Sequence, residues 1–234
     1  MVTCYRSAAL DKETRTRHGF FTAQGSLDPV ALKFGTPELI TVDQWHSPDV
    51  VVLTDTTFSS KPRADAIVTK RLNMAIGVIT ADCGPVLFSD AEAGVIGAAH
   101  AGWRGAINGI LENTIDMMVR QGARIDRIAA ALGPCIHQES YQVTAEMRDT
   151  VLTKCPNALD YFVDDSTFEL GQRYLFDLGD FIIFNLRSKG MRTVDRIHQD
   201  TYSNRLFHSY RRATHQGVRN DGRQFSVITL KSQE

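Results

Sequence analysis

Three short segments carry residue types suited to metal chemistry: Gln44–Trp45–His46–Ser47, Thr80–Ala81–Asp82–Cys83 and His100–Ala101–Gly102–Trp103–Arg104–Gly105. Each adjoins an apolar run of strand length. Two imidazoles, His46 and His100, and one thiolate, Cys83, are ligands that zinc favours. Together they leave the fourth tetrahedral position free, as in catalytic rather than structural zinc sites. The same donors accept copper. Asp82 is of the type that orients a ligating imidazole, although an aspartate in a turn also bonds its own backbone. Without a metal, Cys83 and His100 are a nucleophile and base pair. Taken singly, each residue has a plainer role, since a free cysteine is commonly a small buried hydrophobe. The convergence of three such residues at successive strand ends carries the argument.

Further candidates surround this set. Gly102 allows a sharp turn, and Trp103–Arg104–Gly105 then opens a long helical pattern. Free N–H groups at a helix start, with Arg104 in the first turn, suit a phosphate or carboxylate. Cys135 and His137 follow Gly133–Pro134 on a turn leaving a strand and are candidates to line the same mouth. Their Cys-x-His spacing is not that of a zinc finger. Arg211, within Ser209–Tyr210–Arg211–Arg212, offers a basic anchor, although paired arginines also occur on solvated faces.

The elements that must position these groups follow from the apolar pattern. Arg17–Ala23 reads as a first strand and Gln24–Pro37 as loop. Strand-sized runs follow at Leu39–Val42, Val50–Thr54, Ala66–Thr69, Ala75–Thr80, Pro85–Ser89 and Val95–Ala99. Ile107, Ile110, Leu111, Thr114, Ile115 and Met118 recur at helical spacing and predict one helix over Arg104–Gln121, stopped by Gly122. A strand is expected at Ile128–Leu132 and helices at Thr144–Lys154 and Phe176–Lys189. Strands at Thr193–His198 and Phe225–Leu230 close the pattern, with a turn at Asn220–Asp221–Gly222. The mixture predicts one α/β (α+β) domain over residues 1–234, with helices covering sheets.

Bulk properties narrow the function. The 234 residues are 43% hydrophobic and 23% charged, with a net charge of -1. No global field attracts nucleic acid or an anionic membrane, and no apolar run is long enough to span a bilayer. Met1–Leu10 lacks a basic stretch followed by an apolar core, so cytoplasmic residence is expected. The four cysteines are irregularly spaced and are expected as thiols. No Gly-x-Gly-x-x-Gly or P-loop pattern supports a dinucleotide or nucleotide-triphosphate site.

The stretches TADCGPVLFSD, AAHAGWRG, ALGPCI and FHSYRR followed by GRQ resemble the laccase-domain family. That family is also called multicopper polyphenol oxidoreductase, purine nucleoside phosphorylase-like, or peptidoglycan editing factor. The resemblance runs from His18 onward, with the motifs in the family's order and spacing. It implies mixed β-sheets packed as a sandwich with flanking helices, and metal ligands at His46, Cys83 and His100. It also implies a site for zinc, sometimes copper, and a purine nucleoside with phosphate as small-molecule substrate. Phosphorolysis of adenosine, inosine or methylthioadenosine and deamination of adenosine are the implied activities. A Cys–His hydrolase acting on a peptidoglycan precursor, a laccase and a non-catalytic metal-binding protein are the alternatives. The chain departs from the family where Phe20–Phe21–Thr22–Ala23 lacks an arginine. It departs again at Trp45, where the family's Gln-Val-His has valine, at Gln142 in place of glutamate, and at Tyr202 where cysteine is common.

Overall fold

Strands that read as unbroken apolar runs need cover on both faces. In the computed structural model, which describes residues 4–23, 39–54, 60–219 and 222–232, that cover comes from a second sheet on one side and helices on the other. The strands are β1 (Cys4–Tyr5), β2 (Thr16–Phe21), β3 (Leu39–Ile40), β4 (Val50–Leu53), β5 (Ala66–Thr69), β6 (Ala75–Thr80) and β7 (Gly84–Asp90). They continue as β8 (Val95–Ala101), β9 (Ala129–Leu132), β10 (Gln142–Thr144), β11 (Phe162–Asp164), β12 (Arg173–Phe176), β13 (Thr193–Arg196) and β14 (Gln224–Leu230). A six-stranded sheet has the order β13-β9-β7-β8-β5-β4, a five-stranded sheet β1-β2-β14-β6-β3, and a small sheet β10-β12-β11. Every residue of β7 and β8 is buried.

The two large sheets enclose one core, in which Phe20, Ile76, Val78 and Ile228 meet Ile67, Leu87, Ile96 and Ala98. On the outer face of the six-stranded sheet, Val68, Val86, Phe88 and Leu132 meet the helices and the small sheet. The helices are α1 (Ala8–Asp11), α2 (Trp103–Ile107), α3 (Ile110–Arg120), α4 (Ala145–Lys154), α5 (Leu178–Ser188) and α6 (Tyr210–His215). The expected sandwich with flanking helices is the observed one. Among the described residues, no helix is long and apolar enough to cross a membrane. Cys83, Cys135 and Cys155 are free thiols.

Several boundaries differ from the sequence reading. The single helix expected over Arg104–Gln121 is two, α2 and α3. Gly109 between them adopts φ +91°, a left-handed conformation that breaks the turn while the apolar face continues. Phe176 ends β12 instead of opening a helix. Asp177 caps α5 by accepting from the Asp180 N–H. The small sheet was missed because its strands are short and mix polar with apolar residues. The loop expected at Gln24–Pro37 and the Asn220–Asp221 turn positions lie outside the described residues.

Candidate metal centre

Register brings the three candidate ligands together. In the β7–β8 ladder, Pro85 faces His100 and Gly84 faces Ala101. Cys83, one residue before β7, therefore lies beside the end of β8. His46 arrives on the segment leading to β4. The Gln44 side chain anchors that segment by donating to Ile79 O (2.8 Å) and accepting from Ile79 N (2.9 Å), as a neighbouring strand would. His46 adopts φ +67° and Asp82 φ +91°. Residues with a Cβ rarely hold such values unless surrounding contacts enforce them.

The ligand atoms of His46, Cys83 and His100 all lie within 4.8 Å of one another. Cys83 Sγ is 3.8 Å from His46 Nε2. A tetrahedral zinc with ordinary Zn–N and Zn–S bonds spaces its ligands by roughly 3.3–3.6 Å, so the set fits one ion after a small inward adjustment. Gly102 keeps this space clear: a Cβ there would lie 2.8 Å from His46 Cδ2 and 3.0 Å from Cys83 Sγ. His46 is exposed, Cys83 half-buried and His100 buried, so the cluster opens toward solvent on the His46 side.

The carboxylate that orients these ligands is Asp65, which sequence reasoning missed. Its Oδ1 is 2.7 Å from His100 Nδ1, leaving Nε2 for a metal. The Asp65 side chain also accepts from the backbone N–H groups of Trp45 (3.2 Å), His46 (3.0 Å) and Ser47 (2.7 Å) and from the Ser47 hydroxyl (2.9 Å). One fully buried carboxylate thus fixes the ring of one ligand and the backbone of another. The available signal was an aspartate heading the otherwise apolar run Ala66–Thr69, since a charge buried there needs several partners.

The electrostatics form a coupled set. Burial alone opposes ionisation of Asp65, but the His100 contact and the Ser47 N–H hold it down at about 2. Burial also opposes the Cys83 thiolate. The charge and hydrogen bond of His100, with His46 behind them, prevail and bring it down to about 6. Burial disfavours the His100 imidazolium, yet Cys83 and Asp65 raise it to about 9. These directions favour a carboxylate–imidazolium–thiolate chain at the metal-free site. A cation held by His46, Cys83 and His100 would take the place of the imidazolium proton.

Asp82 does not orient a ligand. Its carboxylate accepts from the Thr201 hydroxyl and from the Arg211 backbone N–H, both at 2.7 Å. The strained turn at Asp82 points its side chain at the C-terminal segment, away from the imidazoles. Cys135 is likewise corrected as a pocket-lining residue. It is 1% exposed within the main core, and burial pushes its thiol up to about 12. The charges around His137 are Arg196, Asp200, Glu139 and Asp177, none of them a candidate ligand, and burial leads the lowering of its pKa.

Arg104 is exposed with its guanidinium 4.4 Å from the Trp103 ring. It lies at the start of the five-residue α2, so the helix dipole behind it is smaller than expected from one long helix. Arg211 donates to Gln142 O (2.6 Å) and lies 5.3 Å over the Tyr141 ring. Tyr141, not singled out by the sequence, is the meeting point of these groups. Burial and Cys83 raise its phenol pKa, with Arg211, Asp82 and Arg104 in electrostatic reach, so it stays a hydrogen-bond donor. Two departures from the family pattern have local partners: the Gln142 amide donates to Asp165 (2.6 Å), and the Tyr202 hydroxyl meets His215 Nδ1 (3.0 Å).

Comparison with known proteins adds to this geometry. The family described as multi-copper polyphenol oxidoreductase laccase matches residues 26–231. A protein of Rickettsia prowazekii named purine nucleoside phosphorylase is 32% identical over 207 residues, covering 88% of this chain and 84% of its own. A protein named adenosine deaminase, from an unknown prokaryotic organism, is 46% identical over 83 residues, covering 36% of this chain and 32% of its own. The crystal structure of a Neisseria meningitidis protein superposes with a TM-score of 0.81 at 29% identity, covering 93% of this chain and 95% of that one.

Proposed function

The chain belongs to the family described as multi-copper polyphenol oxidoreductase laccase, and from that premise we propose that it is a zinc-dependent purine nucleoside phosphorylase with adenosine deaminase capacity. Adenosine, inosine and methylthioadenosine are the proposed substrates, and copper is the alternative metal. The observation that carries the reading is the His46–Cys83–His100 cluster, open on one side and braced by Asp65. The names of the relatives support the nucleoside chemistry.

A metal held there supplies Lewis acidity toward an oxygen or nitrogen of the substrate. Asp65 keeps the His100 ring turned so that Nε2 faces the cluster. Arg104 and Arg211 are the cations proposed to hold phosphate beside the ribose. Asp82 acts through Arg211, fixing the backbone on which that side chain stands. The Tyr141 phenol offers a protonated donor with both arginines in electrostatic reach. In phosphorolysis an oxygen of hydrogen phosphate bonds C1′ while the bond from C1′ to the purine nitrogen breaks, and the proton that the phosphate gives up goes to the leaving base.

Only one group of three candidate ligands occurs among the described residues, and seven histidines without a His-x-His pair suit one metal better than a multicopper array. The test is chromatography of adenosine incubated with phosphate and metal-replete protein. Adenine or inosine should appear and be lost in His100→Ala and after chelation. Absence of both products from metal-replete protein contradicts the reading.

One observation favours a second reading. The order Asp65, His100, Cys83 is that of a metal-free carboxylate–imidazole–thiol hydrolase, for which a peptidoglycan precursor is the substrate class. Inactivation by iodoacetamide with no effect of chelator selects it.

A further inference from the structure

Helix α5 has two working faces. Leu178, Phe181, Ile182 and Leu186 are buried against the six-stranded sheet. The adjacent stripe, Asp180, Ile183, Phe184 and Arg187, follows i, i+3, i+4, i+7 spacing and faces sideways toward the edge strand β13. Along β13 and just beyond it, Val194, Arg196 and His198 alternate onto the same side. Asp195 also lines the cavity, but its carboxylate is committed, accepting from the Ser7 hydroxyl (2.6 Å) and from the backbone N–H groups of Ala9 (3.4 Å) and Arg196 (2.8 Å). Helix and strand enclose a cavity of about 570 Å³, with Tyr161 in its wall. That volume lies in the range of small-molecule sites.

The cavity's chemistry is specific. Its aromatic wall is the Tyr161–Phe184 pair, ring centroids 5.7 Å apart, and Tyr161 is backed by Phe181 at 5.8 Å. Arg196 is already engaged, by Asp180 and by Asp177 at 3.7 Å. Gly179 makes room for it, since a Cβ there would lie 2.3 Å from Arg196 Nη2. Two polar groups of the lining are left over. The Arg187 and His198 side chains make no hydrogen bond or ion pair among the described residues. An aromatic wall beside an uncommitted guanidinium and an imidazole matches a flat ring that carries negative charge.

We propose that this cavity binds a small aromatic anion, an aryl phosphate or aryl carboxylate, with its ring against Tyr161 and Phe184 and its charge on Arg187 and His198. The site is separate from the metal cluster. In the sheet, β13 stands two places from β7 and three from β8, roughly 10–14 Å at ordinary strand spacing. The proposal does not depend on the nucleoside reading.

Isothermal titration of metal-loaded protein with phenyl phosphate and with benzoate tests it. At least one probe should bind with Kd below about 1 mM, and Arg187→Ala should weaken it by about tenfold. His198→Ala should weaken it less. Arg187 and His198 are exposed, so both variants should keep the wild-type melting temperature. The tighter probe identifies the anion as phosphate or carboxylate. No binding of either probe at about 10 mM, or unchanged affinity in the Arg187→Ala/His198→Ala double variant, overturns the proposal.

Discussion

Two buried aspartates flank the candidate metal site and do opposite work. Asp82 is the sequence neighbour of Cys83, yet its carboxylate serves the C-terminal segment through Thr201 and Arg211. Asp65 lies 35 residues from His100, yet it touches that ring and also gathers the N–H groups of Trp45, His46 and Ser47. Adjacency along the chain located a strained turn, whereas pairing between strands located the partner. Ala66 of β5 faces Ala99 of β8, and this register sets Asp65 beside His100. The Asp65 side is a brace for ligands, and the Asp82 side a latch for the wall that carries Arg211.

The largest expected effect is on the ligands that both sides serve. Cys83→Ser and His100→Ala should reduce bound metal to background, measured by mass spectrometry on purified protein. Next comes the brace. Asp65→Asn should weaken metal binding by roughly 10–100-fold, read by competition with a chromophoric chelator, while Asp82→Asn leaves it near wild type. Equal losses in the two variants would erase the distinction between brace and latch.

Asp82→Asn should instead cost about 1–3 kcal/mol of stability, measured by chemical denaturation, and should raise KM for phosphate more than it lowers kcat. Asp65 has its own signature in acid. Its pKa falls from 3.8 to about 2 on folding, so its contribution is present above pH 3.8 and is lost as pH falls through about 2. The contribution is about 2 kcal/mol. Denaturation curves at pH 5 and below should show this loss in wild type and a smaller one in Asp65→Asn. The smallest effect belongs to Gln142→Glu, which sets a second carboxylate against Asp165 and should lower Tm slightly without altering metal content.

Much of this architecture is legible in the amino-acid order. The runs at Ala75–Thr80, Pro85–Ser89 and Val95–Ala99 are strands within a residue or two, because burial on both faces leaves a continuous apolar record. The three candidate ligands stand out for the same reason, being polar groups at the ends of such runs. Gly109 was harder to read, since a helix break that preserves the apolar stripe leaves the periodicity intact. Asp65 and Tyr141 were hidden because their roles depend on strand register and on a loop folding back, which local patterning does not encode. Cys135 misled because its position after Gly133–Pro134 suggests a mouth, whereas its side chain turns into the core.

The most direct measurement is the metal stoichiometry of protein purified without added metal, taken for wild type and His100→Ala in parallel. About one zinc or copper ion per wild-type chain, absent from His100→Ala, is the predicted result. A wild-type chain without metal, or a variant that retains it in full, contradicts the assignment of His46, Cys83 and His100 as the ligands.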